Sequence, residues 1–277
     1  MKNAMQLKAF VKNIAKEKNI SAQIILQNYM MERLLERISL SNYKEHFILK
    51  GGFLLAAMVG LDTRATMDMD ATIKGLPVTK ESIAEMFMEI CEIEIDDAIS
   101  FSFNDISDIR EDDEYSGFRV TLTGNYSPMA VPMKIDITTG DKITPREIVY
   151  KFNLMFEDRQ IDILAYPLET ILAEKLETII SRSDQNTRPR DFYDIYILKK
   201  LQNDNINFKV LKDAFTATAT KRGTIHIMER YAEILEVVEN SGIMVSQWTR
   251  YQNEFDYAKS IEFKDTCDAA KAMLDKI

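Results

Sequence analysis

Phe47-Ile48-Leu49-Lys50-Gly51-Gly52, followed a short helix later by Thr66-Met67-Asp68-Met69-Asp70, decides how this chain is to be read. Phe47 to Leu49 has the length and apolarity of a short buried strand. The glycine pair then opens an apolar helix, Phe53 to Val59, that ends by Gly60. Glycines at a helix start let backbone N–H groups come close to a phosphate at the positive end of the helix. Met67 to Ile73 reads as the next strand, closed by Gly75 and Pro77. Side chains in a strand alternate between faces, so Asp68 and Asp70 share one face and Met67 and Met69 the other. Two carboxylates on one face repel unless a cation lies between them, and hard oxygen ligands suit Mg²⁺. A phosphate cradle beside metal-binding carboxylates points to phosphoryl or nucleotidyl transfer.

Before this stretch, residues 4–38 carry helical spacing with little Gly or Pro, read as two helices joined near Lys18 to Ser21, with Ser21 capping the second. After it, Thr79 to Cys91 is an amphipathic helix with Ile83, Phe87 and Ile90 on one side. The pattern then turns to β over Ile93 to Ile137. Ile99, Phe101 and Phe103 alternate, as do Val120 and Leu122, with a polar turn at Glu111 to Gly117. Along Val131 to Thr139, Val131, Met133, Ile135 and Ile137 face one way and Lys134 and Asp136 the other. Beyond Pro167 the chain is helical, with breaks around Ser183 to Pro189, Asn203 to Asn207 and Gly242. The expected architecture is α+β: a mixed-sheet domain over 1–164 that includes the N-terminal helices, then a helical domain over 165–277 that completes the site.

Composition excludes several classes. At 277 residues with 46% hydrophobic and 29% charged content, the chain is an ordinary globular one. Phe53 to Leu61, its most apolar run, is too short to cross a bilayer. No apolar leader is visible, and the expected location is the cytoplasm. Cys91 and Cys267 are too few for a disulfide framework, and His46 and His226 too few for a zinc enzyme or a histidine hydrolase. The net charge of −9 hides an asymmetry. Residues 1–50 hold nine Lys or Arg against four Glu, whereas residues 81–114 hold thirteen Asp or Glu against Arg110 alone. These are either two solvated faces or a basic surface for RNA and phosphates opposite an acidic one.

A metal site needs a third carboxylate, for which Asp136 on the polar face of its strand is the candidate; the alternative is an outward-facing pair with Lys134. Lys175 falls inside the apolar stripe of Leu168, Ile171, Leu172, Leu176, Ile179 and Ile180. A lysine turned inward needs an anion, either a nucleotide phosphate or an internal Asp, unless it snorkels out at the edge of the stripe. In Arg188-Pro189-Arg190-Asp191-Phe192-Tyr193-Asp194, Pro189 suits a first helical turn and Asp191 suits the dipole there. The same arginines and aspartates suit triphosphate binding and deprotonation of an acceptor.

In this order the pieces resemble the AbiEii-type nucleotidyltransferase toxins, within the DNA polymerase β-like nucleotidyltransferase superfamily. The strand with Gly51-Gly52, the hydroxyl-x-D-x-D of Thr66-Met67-Asp68-Met69-Asp70, the K-x-D of Lys134-Ile135-Asp136, the Lys175 helix and the Arg188 to Asp194 turn carry the likeness. The resemblance implies transfer of a nucleoside monophosphate from an NTP with Mg²⁺, tRNA as acceptor, an antitoxin encoded nearby and a part in abortive phage infection. Asp68 and Asp70 would be metal ligands with Asp136 the third. Gly51, Gly52 and Thr66, with Lys134, would hold the donor. Lys175, helped by Arg188 or Arg190, would neutralise phosphate charge, and Asp191 would serve as base, with Asp194 its competitor. The alternatives are nucleotidylation of a protein, or a non-catalytic member that binds a partner.

Overall fold

The computed structural model describes residues 4–109 and 117–277. The expected turn at Glu111 to Gly117, apart from Gly117 itself, lies outside the described residues, as do Arg110 and the acidic run after it. The chain divides into two compact units, Met1–Asp141 with Ile148–Ala165, and Lys142–Glu147 with Tyr166–Ile277.

The first unit opens with helices α1 (Ala4–Lys18) and α2 (Ala22–Leu40). Ser21 separates them: its side chain accepts a hydrogen bond from the Ile24 N–H, satisfying one of the orphan donors at the start of α2. Strand β1 (Phe47–Lys50) runs directly into α3 (Gly51–Val59), then β2 (Met69–Ile73) and α4 (Lys80–Cys91) follow. A reciprocal cap between Thr79 and Ser82 starts α4. The strand expected from Met67 begins two residues later, so Asp68 stands just before the ladder and Asp70 within it.

Three long strands come next, β3 (Ser100–Ile109), β4 (Gly117–Tyr126) and β5 (Met129–Thr139). Strands β6 (Ile148–Asn153) and β7 (Gln160–Ala165) occupy a stretch that the sequence reading leaves unassigned. All seven form one mixed sheet in the order β3-β4-β5-β2-β1-β7-β6. Strand β1 is antiparallel to β2 and parallel to β7, and β2 is parallel to β5.

Register sorts the two faces. Leu49, Ala71, Ile137 and Phe118 stand side by side across β1, β2, β5 and β4 and are all buried. Helices α2 and α4 pack on that side, with Met30 of α2 against Gly124. One residue along, the row on the other face reads Lys50, Asp70, Asp136, Arg119. A period of two places every charge of that row on the same side.

Helix α2 also buries charge. Arg33, fully enclosed, meets Glu32 at 2.6 Å, Glu36 at 2.9 Å and Glu157 at 2.8 Å. Arg37 forks onto Asp97 at 2.9 and 3.0 Å and donates to the Ile99 carbonyl at 2.6 Å. Burial pushes the Glu32 carboxyl up to about 7, against the pull of Arg33 and of the Met155 N–H. These contacts narrow the reading of the basic first fifty residues: Arg33 and Arg37 are engaged inside the unit and do not form an RNA-facing surface. Asp97, from the acidic segment, is likewise internal.

The second unit is helical: α5 (Leu168–Arg182), α6 (Pro189–Gln202), α7 (Phe208–Lys221), α8 (Ile225–Met228), α9 (Tyr231–Glu239), α10 (Gly242–Glu254) and α11 (Phe263–Leu274). Pro189 stands in the first turn of α6 as the sequence predicts. Its core is aromatic, with Trp248 between Tyr251 and Phe263 and its indole N–H donated to the Ile261 carbonyl at 3.0 Å.

Candidate functional site

In the first unit the Gly51-Gly52 pair and the two aspartates are locked together. Gly51 has φ +68°, and a Cβ there would lie 2.1 Å from Asp70 Oδ2. A Cβ on Gly52 would lie 2.9 Å from the Thr66 hydroxyl oxygen. The start of α3 therefore rests on the Thr66 and Asp70 side chains, and no side chain caps that helix start. Asn28 of α2 holds the loop from beneath, donating to the Thr66 carbonyl at 2.7 Å.

Asp70 and Asp136 are direct partners across parallel β2 and β5. Asp136 receives the Arg119 guanidinium in a two-point bond, Nε to Oδ1 and Nη2 to Oδ2, each 2.8 Å. Asp68 has surface access, yet the chain packed around its carboxyl already strips part of its water. That desolvation, then repulsion from Asp136 and Asp70, raises its pKa above the usual carboxylate value, with Lys134 and Arg119 offsetting part of the rise. Lys134 itself is exposed and acts on Asp68 through space. Among the described residues no three acidic, His or Cys side chains form a ready-made metal cluster. The donor set nevertheless suits a hard divalent cation: three carboxylates that repel one another, one of them held by an internal cation.

The second unit gathers Lys175, Asp191 and Asp194. The Lys175 ammonium stands 2.8 Å from Asp191 Oδ1 and 2.7 Å from Asp194 Oδ2. Asp191 and Asp194 lie one turn apart on α6 and so present the same face. Burial works against the ammonium, but the two carboxylates outweigh it and hold Lys175 above the ordinary lysine range. Of the two anions that the sequence left open, the internal aspartate is present, and in duplicate. The Asp194 side chain is wholly enclosed, at 0% exposure, whereas Asp191 retains 8% in the first turn of α6. Arg188 precedes α6, half-buried, with its N–H donated to Asn186 Oδ1 at 2.8 Å, and Arg190 is exposed.

A family profile described as nucleotidyl transferase AbiEii toxin, type IV TA system, matches residues 33–272. The chain belongs to this family. It is therefore a nucleotidyltransferase toxin of a type IV toxin–antitoxin system. Two crystal structures share the AbiEii chain's fold. A candidate nucleotidyltransferase from H. pylori has a TM-score of 0.52 and 15% identity, covering 93% of this chain and 97% of its own. JHP933 from Helicobacter pylori has a TM-score of 0.51 and 15% identity, covering 92% and 94%. No curated protein matches the chain. Among the described residues no helix is long and apolar enough to cross a membrane.

Two residues around the AbiEii motifs escaped the sequence reading. Asn28 gave no signal, because its partner is a backbone carbonyl 38 residues away. Arg119 did leave one. A two-residue turn at Ser127-Pro128 joins β4 to β5, and counting back from Tyr126 and Met129 pairs Arg119 with Asp136.

The glycine contacts yield a prediction. Gly51→Ala should destabilise the first unit by at least about 1–2 kcal/mol, the ordinary cost of a left-handed alanine, and should also displace the Asp70 carboxylate. Gly52→Ala, with no positive φ, should cost less. Thermal unfolding of both variants checks the order, and equal transitions would refute the account of Gly51.

Proposed function

We propose that this AbiEii toxin transfers a nucleoside monophosphate from an NTP to the acceptor end of tRNA, with Mg²⁺, and that a cognate antitoxin encoded nearby restrains it in the cytoplasm until phage infection. The observation that carries the chemistry is the contact of Gly51 with Asp70, beside Asp136 in register. It sets the phosphate-binding helix start against the carboxylates. Asp68, Asp70 and Asp136 would hold the metal, which when bound would offset the charge of the donor's phosphates and of the developing pyrophosphate.

The backbone N–H groups of Gly51 and Gly52 and the Thr66 hydroxyl bind donor phosphate oxygens. Lys134 lowers the repulsion among the carboxylates. Arg188 and Arg190 supply cations for the triphosphate. The acceptor hydroxyl oxygen forms a bond to the α-phosphorus, the bond to the bridging oxygen breaks, and pyrophosphate leaves. The hydroxyl proton goes to a base, for which Asp191, with 8% of its side chain exposed against 0% for Asp194, is the candidate. Lys175 orients Asp191 and adds positive charge beside it.

The test is incubation with each α-labelled NTP in turn, Mg²⁺, total tRNA and cell lysate, resolved by size. Label on tRNA supports the reading. Label confined to polypeptide would replace the acceptor by a protein, a reading that the acidic charge of −9 favours. Label on neither overturns the proposed transfer reaction.

A further inference from the structure

The row Lys50, Asp70, Asp136, Arg119 has a cation at each end and two carboxylates between. Lys50 is directed to Thr138 at 2.6 Å and to Asp141. Arg119 is different, because it closes on one of the proposed metal ligands. Both oxygens of Asp136 are engaged by its guanidinium, and among the described residues no other side chain bonds to them. The bond is two-pointed, the arrangement in which Arg holds a carboxylate best. The two partners differ in exposure: 38% of the Arg119 side chain is open to solvent against 18% for Asp136. The guanidinium can therefore swing into water while the carboxylate stays on the sheet.

The geometry points to Arg119 as an internal counter-ion that holds the Asp136 carboxylate and competes with a divalent cation for it. The inference rests on the metal reading of Asp68, Asp70 and Asp136 given above. The Asp68, Asp70 and Asp136 carboxylates repel one another, and Arg119 offsets part of that repulsion. With a cation, the guanidinium and the metal draw on the same carboxylate charge, and the hold of Arg119 on Asp136 weakens. Metal affinity is thereby set lower than the three carboxylates alone would give. Arg119 is on this view a positioning residue that couples loading of the site to movement of one side chain on β4.

Calorimetric titration of the full chain with Mn²⁺ alone, without nucleotide, tests this. Arg119→Gln is expected to bind Mn²⁺ about tenfold more tightly than the natural protein, a modest factor because the pair is partly exposed. Arg119→Lys, which keeps the charge but not the fork, should fall between the two and serves if the glutamine variant folds poorly. In an Asp136→Asn background the Arg119→Gln effect should shrink to the through-space part that Arg119 exerts on Asp68 and Asp70, since the competition runs through the Asp136 carboxylate. Unchanged or weaker Mn²⁺ binding by both Arg119 variants would overturn the competition while leaving the metal site standing. Failure of the natural protein and both variants to bind Mn²⁺ would instead remove the metal reading, and this inference with it.

Discussion

Lys175→Met is expected to lower the stability of the second unit by roughly 3–5 kcal/mol, the cost of breaking a buried ion group from one side. The ammonium is the charge partner of Asp191 and Asp194, whose side chains are 8% and 0% exposed. A thioether of similar length fills the space but leaves two carboxylates enclosed without compensation. Trp248, the one tryptophan of the sequence, is buried in the same unit, so its fluorescence during urea unfolding reads the effect where it occurs. Adding Asp194→Asn should return part of the loss, because it removes one of the stranded charges. The pH behaviour follows from the direction of the Lys175 shift. A lysine held above its unfolded value contributes fully below that value and loses its contribution only as pH rises past the folded one. The lysine's own contribution should therefore stay flat from about pH 6 to pH 9. The gap between natural protein and variant should narrow only toward low pH, where the stranded carboxylates of the variant take up protons. A gap under about 1 kcal/mol would mean that the three groups are not a structural unit.

Asp70→Asn should do the reverse, removing activity while sparing the fold. The loss in nucleotidyl transfer should be at least about 10²–10³-fold, the scale on which single groups stabilising transition-state charge are felt. Asp70 touches Gly51 and pairs with Asp136 across the strands, so an isosteric amide keeps the packing. It also removes one member of a set of like charges that raises Asp68. Thermal unfolding of Asp70→Asn should accordingly match or exceed that of the natural protein. Transfer within tenfold of the natural rate would show that Asp70 has no part in the chemistry. Loss of activity together with loss of stability would assign Asp70 a structural role instead.

The elements that carry the motifs were legible because each is announced locally. Ser21 caps α2 through a hydroxyl that lies within three residues of its partner, whereas Thr79, read as the first helical residue, is the cap of α4. The alternation of Val131, Met133, Ile135 and Ile137 marks β5, and the apolar stripe around Lys175 marks α5. Met67 and Asp68 mark a boundary of that method, since alternation continues there although the ladder starts only at Met69. The hairpin of β6 and β7 passed unread, although Ile161, Ile163 and Ala165 are buried with period two. Burial of Arg33 and Arg37 was also hidden, because a charged residue on a helix reads as solvent-facing until its partners arrive from distant loops.

By itself the sequence determined the local order of the chain: the two Gly residues at a helix start, the paired aspartates, the inward lysine, and the family to which these belong. Such features are set by residues a few positions apart, where propensity, capping and periodicity act directly. Only the tertiary structure decided who answers each charge. Asp136 is met by Arg119 from a neighbouring strand, Lys175 by two aspartates of the next helix, and Arg33 by Glu157 more than a hundred residues away. Charge pairing depends on distance in space, and strand register and helix packing fix those distances.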